Sequence, residues 1–135
     1  MQTSMAETPL VLITGASSGI GQALAWRYYQ AGYRLALVAR RTELIQAWAQ
    51  AQGMDASRYA IYGADVSDRD QTIAACEQCL QTQGLPDVVV ANAGVSYGID
   101  TAEREDLEVL AQTYATNVIG MAATFHAFVR PMQAR

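Results

Sequence analysis

Short apolar runs alternate with longer mixed segments along the first two thirds of the chain. The runs are short enough to predict four buried strands, namely Leu10–Ile13, Arg34–Ala39, Tyr59–Tyr62 and Asp87–Ala91. The segments between them predict three helices, Ile20–Gln30, Thr42–Gln52 and Asp68–Gln83, ended by Gly32, Gly53 and Gly84. Strands separated by helices of these lengths predict βαβ units, and so a parallel sheet with helices on both faces.

The last third of the chain has a different pattern. From Glu103 to about Met132 it reads as mostly helical, with no strand following. Apolar residues recur there at spacings of three and four, enough for an apolar face formed by Tyr114, Val118, Met121, Ala122 and Phe125. Neither a repeat nor a Pro/Gly/Ser linker interrupts the sequence. We therefore expect one domain, or one piece of one, over residues 1–135.

Composition narrows the class of protein. A length of 135 residues with 51% hydrophobic residues suits one compact domain. The net charge of -4 and the pI near 4.8 argue against a nucleic-acid partner, which would need clustered basic residues. No apolar run approaches the ~20 residues of a membrane span, and Met1–Pro9 lacks the features of a signal peptide. The expectation is a soluble cytoplasmic protein with no membrane partner.

The two cysteines, Cys76 and Cys79, form the motif C-E-Q-C, which invites a redox or metal-binding interpretation. However, they lie well inside the third predicted helix, away from the helix start where a thiolate is stabilised. A zinc site would also need a second ligand pair. We interpret them as small, partly buried helix residues and expect no metal site.

The turn after the first strand carries the main chemical signal. Thr14–Gly21 reads T-G-A-S-S-G-I-G, directly between a predicted strand and a predicted helix. Glycine permits a tight turn and a close approach of another group to the backbone. The first turn of the next helix offers unpaired N–H groups and the positive end of the helix dipole. The turn therefore predicts a site for a phosphate group.

This turn and three later segments resemble the short-chain dehydrogenase/reductase family. Thr14–Gly21 matches the family's cofactor motif T-G-x-x-x-G-x-G in full. The other matches follow in order: Asp65-Val66 after the third strand, Asn92-Ala93-Gly94 after the fourth, and Thr116-Asn117-Val118-x-Gly120 in the long helix. The resemblance runs from about Leu10 to the last residue. It implies a doubly wound, Rossmann-type parallel sheet.

The resemblance also implies roles for particular residues. The glycine turn would bind the cofactor through Gly15, Ser17, Ser18, Gly19, Ile20 and Gly21. Asp65 and Val66 would contact the adenine, and Asn92, Ala93 and Gly94 would steady the sheet and line the cofactor cleft. Asn117 would be the family's catalytic asparagine, which holds a water beside a local distortion of the helix. Two plainer readings stay open: Asp65 as a turn former or helix-start carboxylate, and Asn92 as a turn residue.

The residues after the second strand bear on the choice of cofactor. A carboxylate there would bind the ribose hydroxyls of NAD, whereas an arginine suits the 2′-phosphate of NADP. This chain has Ala39-Arg40-Arg41, and Arg40 offers a planar donor fork. Glu43 comes later and reads as a first-turn helix carboxylate. We expect NADP rather than NAD, although both arginines could simply be a solvated helix start.

The family's proton donor is a tyrosine in the motif Y-x-x-x-K, and this chain contains no lysine. A phenol with a pKa of about 10 exchanges protons poorly near neutral pH without a nearby cation. The resemblance therefore implies the N-terminal portion of such an enzyme, truncated after the long helix that follows strand four. The intact enzyme would transfer hydride between NADP and a small carbonyl or alcohol. The chain alone would be inactive, and His126 would be a packed or partly exposed side chain rather than a catalytic acid.

Several points stay open at this stage. A non-catalytic dinucleotide-binding or interaction module is the alternative to an enzyme. Ser96 and Tyr97 could border a substrate pocket or could be ordinary surface-loop residues. In the family's strand order 3-2-1-4-5-6-7, the fourth strand would here become an edge with unpaired backbone groups, and the long helix would lose support on one side. We therefore expect self-association into a homo-oligomer.

Overall fold

The computed structural model describes residues 8–17 and 19–135, in which strands and helices alternate. The strands are β1 (Leu10–Thr14), β2 (Arg34–Ala39), β3 (Tyr59–Gly63) and β4 (Val88–Val90). The helices are α1 (Gly19–Gln30), α2 (Thr42–Ala51), α3 (Arg69–Thr82), α4 (Arg104–Tyr114) and α5 (Gly120–Ala134). A short 3-10 turn, Ala56–Arg58, precedes β3, and a π-helical segment, Ala115–Ile119, joins α4 to α5. All four predicted strands are confirmed, and each predicted helix-ending glycine has a left-handed backbone.

The four strands form one parallel sheet in the order β3-β2-β1-β4, with β4 at one edge. Side chains alternate between the two faces of the sheet, as the pleat requires. Leu10 and Leu12 of β1 pack on one face with residues of α3 and α5, among them Phe128. Val11 and Ile13 pack on the other face with residues of α1 and α2. The predicted sheet with helices on both faces is therefore confirmed, including the edge position of β4.

Two element boundaries differ from the prediction for identifiable reasons. β4 spans only Val88–Val90, rather than Asp87–Ala91, because the Asn92 N–H donates to the Val90 carbonyl at 3.0 Å and turns the chain out of the sheet. α3 begins at Arg69 because Asp68 caps it, accepting hydrogen bonds from the N–H groups of Asp70 and Gln71. The remaining strands and helices differ from their predicted limits by only one or two residues at an end.

The segment predicted as one long helix is divided by the π-helical segment into α4 and α5. The apolar face predicted for it is not the face that packs inward. Tyr114, Val118, Met121, Ala122 and Phe125 are all exposed. The buried positions of α5 are instead Gly120, Ala123, Thr124 and Phe128. Small residues lie inward because α5 packs closely on neighbouring parts of the chain: a Cβ on Gly120 would lie 2.5 Å from the Val66 carbonyl oxygen.

Both cysteines lie in α3 and are more deeply buried than the predicted partial burial. Cys76 and Cys79 are inaccessible to solvent and unbonded to each other. The Cys76 thiol donates to the Thr124 carbonyl of α5 at 3.5 Å. Burial raises the pKa of the Cys76 thiol to about 12 and that of the Cys79 thiol to about 11. These thiols are packing residues between α3 and the sheet.

Replacement of Gly120 by alanine tests the close contact between α5 and Val66. Helix propensity alone would make Gly120→Ala stabilising by about 0.5–1 kcal/mol. The new Cβ, however, would lie 2.5 Å from both Cγ1 and the carbonyl oxygen of Val66, so we expect a net loss of about 1–3 kcal/mol in the free energy of unfolding. Urea denaturation measures it.

Gly98→Ala is the matched control, because a Cβ there meets nothing within 4 Å. It should leave the free energy of unfolding nearly unchanged. A Gly120→Ala variant as stable as the unaltered chain would contradict the packing described for α5.

Candidate functional site

A cavity of about 520 Å³ opens where the strands β1, β2, β3 and β4 end and their following loops begin. The β1–α1 turn contributes Gly15, Ser17, Gly19 and Ile20, and the end of β2 contributes Ala39 and Arg40. The remaining wall comes from the segments after β3 and β4 and from the α4–π region, with Ala64, Asp65, Val66, Ser67, Asn92, Ala93, Gly94, Val95, Tyr97, Gln112 and Thr116. The carboxyl ends of parallel strands are where open α/β sheets bind ligands.

The glycine turn forms one wall of this cavity. Gly15 and Gly19 have φ values of 65° and 58°, which residues with a Cβ rarely adopt. A Cβ on Gly15 would also lie 2.9 Å from the Ala93 Cα atom, whereas one on Gly19 would meet nothing within 4 Å. The first turn of α1 contains no acidic residue, in contrast to the first turns of α2, α3 and α4. This helix start therefore presents its positive dipole end to the cavity without a carboxylate of its own.

The turn is tied to the loop after β4 by two hydrogen bonds. The Asn92 side-chain amide donates to the Gly15 carbonyl at 3.3 Å, and the Ala93 N–H donates to the Thr14 hydroxyl at 3.0 Å. Gly21 is buried beneath this junction, since a Cβ there would overlap the Gly15 carbonyl oxygen and lie 2.9 Å from Asn92 Nδ2. Gly21 thus lets the helix, the turn and the Asn92 side chain pack together and does not line the cavity.

Asp65 occupies the third loop at the cavity wall. Its Oδ1 atom accepts from the Ser67 N–H at 3.0 Å and from the Ser67 hydroxyl at 2.7 Å, which is the turn-forming geometry that the sequence left open. The Ser67 hydroxyl and N–H hold the pKa of Asp65 below its usual 3.8, slight burial opposes this, and the Arg40 charge reinforces it. The helix-start carboxylate of α3 is Asp68, so Asp65 is a charged residue that faces both the loop and the cavity.

Asn117 lies in the π-helical segment, and both the oxygen and the nitrogen of its side-chain amide are hydrogen-bonded to the loop after β4. Its Oδ1 accepts from the Val95 N–H at 2.8 Å, and its Nδ2 donates to the Val95 carbonyl at 2.7 Å. A mid-helix asparagine usually competes with the helix for hydrogen bonds, and here the distortion around it leaves its side chain paired with another segment. Val95 lines the cavity, and Gly94 lies beside Asn117. The two hydrogen bonds between Asn117 and Val95 therefore fix the part of the cavity wall where the loop after β4 passes the helix.

The structure brings most of the predicted site residues to one cavity. The exceptions are Gly21, which is buried beneath the turn, Asn117, which acts through Val95, and Ser18, which falls outside the described residues. Arg40 is exposed at the rim, and of the pair Ser96 and Tyr97 only Tyr97 lines the cavity. His126 is exposed in a separate groove between α3 and α5.

Sequence reasoning missed three cavity residues that local spacing could have identified. Ser67 stands two residues after Asp65, the spacing of an aspartate turn. Thr116 directly precedes Asn117, and Gln112 lies four residues before Thr116, so both face the same side of a helix.

The residues present fit a dinucleotide. An anion would meet the carboxylate-free start of α1, where the Gly19 Cα position is open. Asp65 would offer an acceptor oxygen, and Arg40 would offer a cation at the rim of the same cavity. The start of α1, Asp65 and Arg40 therefore all lie at one cavity, where each could contact a different part of a dinucleotide.

Comparisons with known proteins point to one family. The family model described as short chain dehydrogenase matches residues 9–135. The chain is 32% identical over 133 residues to Dehydrogenase/reductase SDR family member 7B of Bos taurus, covering 92% of this chain and 41% of that protein. It is 27% identical over 129 residues to the "Probable NADP-dependent dehydrogenase" of Haemophilus influenzae, covering 96% and 50%. The chain spans about half the length of these relatives.

Solved structures show the same fold. L-sorbose reductase from Gluconobacter frateurii, complexed with NADPH and L-sorbose, matches with a TM-score of 0.80 and 27% identity over 95% of this chain and 49% of that one. The 3-ketoacyl-(acyl-carrier-protein) reductase from Brucella melitensis, complexed with NADH, matches with a TM-score of 0.79 and 28% identity over 90% and 49%. Within residues 8–17 and 19–135, no helix is long and apolar enough to cross a membrane.

Substitution of Asn117 tests its link to Val95. Asn117→Ala removes both hydrogen bonds, so we expect the free energy of unfolding to fall by about 1–3 kcal/mol and the Val95 N–H to exchange faster with deuterium. Gln112→Ala, an exposed position on α4, is the control and should change neither quantity. Unaltered exchange at Val95 in Asn117→Ala would refute the link.

The pKa of Asp65 provides a test of its loop geometry. Because the pKa of Asp65 is lower in the folded state, ionised Asp65 stabilises the fold at pH values above 3.8. This stabilisation is lost as the pH falls through the pKa of the folded state. Ser67→Ala removes the main cause, so we expect the pKa of Asp65 to rise toward 3.8 in a carboxyl carbon NMR titration.

Ser57→Ala is the matched control, because Ser57 makes the same turn with Asp55 and also lowers the pKa of that carboxyl. It should raise the pKa of Asp55 and leave Asp65 unaffected. An Asp65 titration that is insensitive to Ser67→Ala would show that the serine does not govern this carboxylate.

Proposed function

Because this chain belongs to the short-chain dehydrogenase family, we propose that it is the NADP-binding part of an oxidoreductase. The reaction would be hydride transfer between NADP and the carbonyl or alcohol group of a small molecule. The observation that carries the proposal is the single cavity in which the open start of α1, Arg40 and Asp65 are brought together. Each of these would meet a different part of a dinucleotide.

The preference for NADP over NAD rests on the end of β2. Ala39 is buried there, and the next residue, Arg40, is exposed at the cavity rim. A ribose with free hydroxyls would need a carboxylate at this point, whereas a 2′-phosphate needs a cation with a planar donor fork. Glu43 lies inside the first turn of α2 and does not line the cavity, so it supplies no such carboxylate. The NADP-dependent relative and the NADPH complex support this choice, while the NADH complex shows that the fold accepts both.

The bound nicotinamide would supply or accept the hydride, and this chain's residues would bind and orient the cofactor. Backbone N–H groups at Gly19 and Ile20 would hold the pyrophosphate, and the Ser17 segment would flank it. Asp65 and Val66 would border the adenine. Asn92 and Asn117 would act indirectly, by holding the turn and the loop after β4 in place through Gly15 and Val95.

We propose that the chain is inactive by itself. It contains seven tyrosines and no lysine, so none of its phenols has a lysine ammonium beside it to favour proton transfer near neutral pH. Tyr97 lines the cavity but is followed four residues later by Thr101. Chemistry would then require residues corresponding to the remaining half of the relatives' length.

The absence of lysine also favours a second candidate, a non-catalytic dinucleotide-binding module. The nucleotide sequence after codon 135 distinguishes the two. A continuing reading frame that encodes a serine and Y-x-x-x-K favours the enzyme, and a natural stop codon favours the module.

The cofactor assignment is tested by titrating NADPH and NADH into the 135-residue chain and into Arg40→Asp with Arg41→Ala. Removing the cation and adding a carboxylate should weaken NADPH binding about tenfold or more, a loss of about 1.4 kcal/mol or more, and weaken NADH binding much less. Isothermal titration calorimetry measures both dissociation constants.

Arg69→Asp with Arg104→Ala is the control, since it makes the same change in net charge at exposed positions outside the cavity. It should leave both dissociation constants nearly unchanged. Equal NADPH affinity in the Arg40 variant and the unaltered chain would overturn the assignment to NADP, and failure of the unaltered chain to bind either dinucleotide would overturn the proposed function.

A further inference from the structure

We propose that Gln22 is a positioning residue for the cofactor, because its side-chain amide holds the Ser17 carbonyl away from the place where the pyrophosphate would bind. The role rests on the proposed function, since it concerns the same glycine turn. Gln22 itself would make no contact with the dinucleotide. Its effect would pass through the backbone of the turn to every ligand that carries a pyrophosphate.

The contact between Gln22 and Ser17 is a short hydrogen bond within the β1–α1 segment. The Gln22 Nε2 atom donates to the Ser17 carbonyl oxygen at 2.7 Å. Side chains of a helix lean toward its N-terminus, so a residue in the first turn of α1 reaches back over the preceding turn. Ser17, Gly19 and Ile20 line the cavity, whereas Gln22 is partly buried and does not line it. The hydrogen bond therefore directs the Ser17 carbonyl oxygen toward the Gln22 side chain and not toward the cavity.

A second carbonyl of the turn is bound in the same way. The Gly15 carbonyl accepts from Asn92 Nδ2 at 3.3 Å. Two side-chain amides, one from the loop after β4 and one from α1, thus bind the carbonyl oxygens of Gly15 and Ser17. Asn92 belongs to the segments that resemble the family, whereas Gln22 directly follows the matched motif Thr14–Gly21. The structure therefore assigns Gln22 a task that the motif does not include.

The direction of the Ser17 carbonyl matters because of the charge on a phosphate. A phosphate at a helix start is stabilised by free N–H groups and by the positive end of the helix dipole. A carbonyl oxygen carries partial negative charge, so a free one beside this site would oppose the same phosphate. The Gln22 amide satisfies this oxygen and fixes its direction before any ligand arrives. A turn that is ordered in advance loses less conformational freedom on binding, and the ligand binds more tightly.

Position 22 requires a side chain that donates a hydrogen bond without adding negative charge. Glutamine supplies two N–H donors and is neutral. Glutamate has the same shape but only accepts hydrogen bonds when ionised, so it would repel the Ser17 carbonyl and bring a carboxylate to a helix start that has none. Methionine has a similar length and no donor. These two replacements therefore separate the loss of the donor from the gain of a charge.

Titration of Gln22→Met with three ligands tests the proposal. The dissociation constants of NADPH and NADH should rise together by about three- to tenfold, the effect of one lost hydrogen bond. Adenosine 2′-phosphate has the base and the 2′-phosphate but no pyrophosphate, so its dissociation constant should stay unchanged. Isothermal titration calorimetry measures the dinucleotides, and NMR chemical-shift titration measures adenosine 2′-phosphate. Arg40→Asp with Arg41→Ala should give a different pattern, with NADPH and adenosine 2′-phosphate weakened more than NADH.

Gln22→Glu should weaken both dinucleotides further, by about tenfold or more, because a carboxylate then stands at the helix start. The matched controls are Gln30→Met and Gln30→Glu, which make the same chemical changes at the exposed last residue of α1. They should leave all three dissociation constants unchanged. Circular dichroism establishes that each variant is folded, and the carbonyl carbon shift of Ser17 reports the hydrogen bond directly.

Three results would overturn the role of Gln22 and leave the proposed function standing. The first is a Gln22→Met variant that binds both dinucleotides as tightly as the unaltered chain. The second is an equal loss of affinity for adenosine 2′-phosphate, which would mean that the whole cavity is altered. The third is a Ser17 carbonyl carbon shift that does not respond to Gln22→Met. Failure of the unaltered chain to bind either dinucleotide would instead overturn the proposed function, and with it this role of Gln22.

Discussion

The close approach of the β1–α1 turn to the loop after β4 is the constraint on which the site depends. It requires that Gly15 and Gly21 have no side chains, and it is held by Asn92 on the Gly15 carbonyl and by Thr14 on the Ala93 N–H. A methyl group at either glycine would separate segments that are far apart in sequence but adjacent in the sheet. The glycines after β1 therefore serve two purposes. Gly15 and Gly19 shape the cavity wall, and Gly21 lets α1 pack against the turn and the Asn92 side chain.

A second connection extends this constraint to the helical region. Val95 follows the Asn92–Gly94 segment and is bound through both of its backbone groups to Asn117. The helix, the loop and the glycine turn are thus linked in series by side-chain to backbone hydrogen bonds. Partly buried networks of this kind position a site more firmly than any one member would. The two asparagines identified by the family resemblance share one physical task, which is to fix the backbone of a neighbouring segment.

The sequence predicted the strands, the helices that cover the sheet and the place of the cavity, because short apolar runs and glycine positions report directly on local structure. It also predicted the order of these strands, through the resemblance to a family with a known strand order. It could not assign separate tasks to Gly15 and Gly21, since both read as parts of one motif and only the fold shows which one meets Asn92. Likewise, Asp65 and Ser67 form a turn that lines the same cavity as Arg40, which follows a different strand. The sequence pattern did not predict contacts between segments that are far apart in the sequence.

The π-helical segment changes the direction in which the two parts of the long helix present their side chains. A regular α-helix turns by about 100° per residue, and a π-helical turn accommodates one extra residue, so the faces before and after Ala115–Ile119 are offset by about one residue's rotation. In geometric terms, the segment is equivalent to one extra residue accommodated within the helix. One stretch of helix therefore serves two neighbours, since Asn117 binds Val95 of the loop after β4 while Thr124 and Phe128, further along, pack against α3 and the sheet.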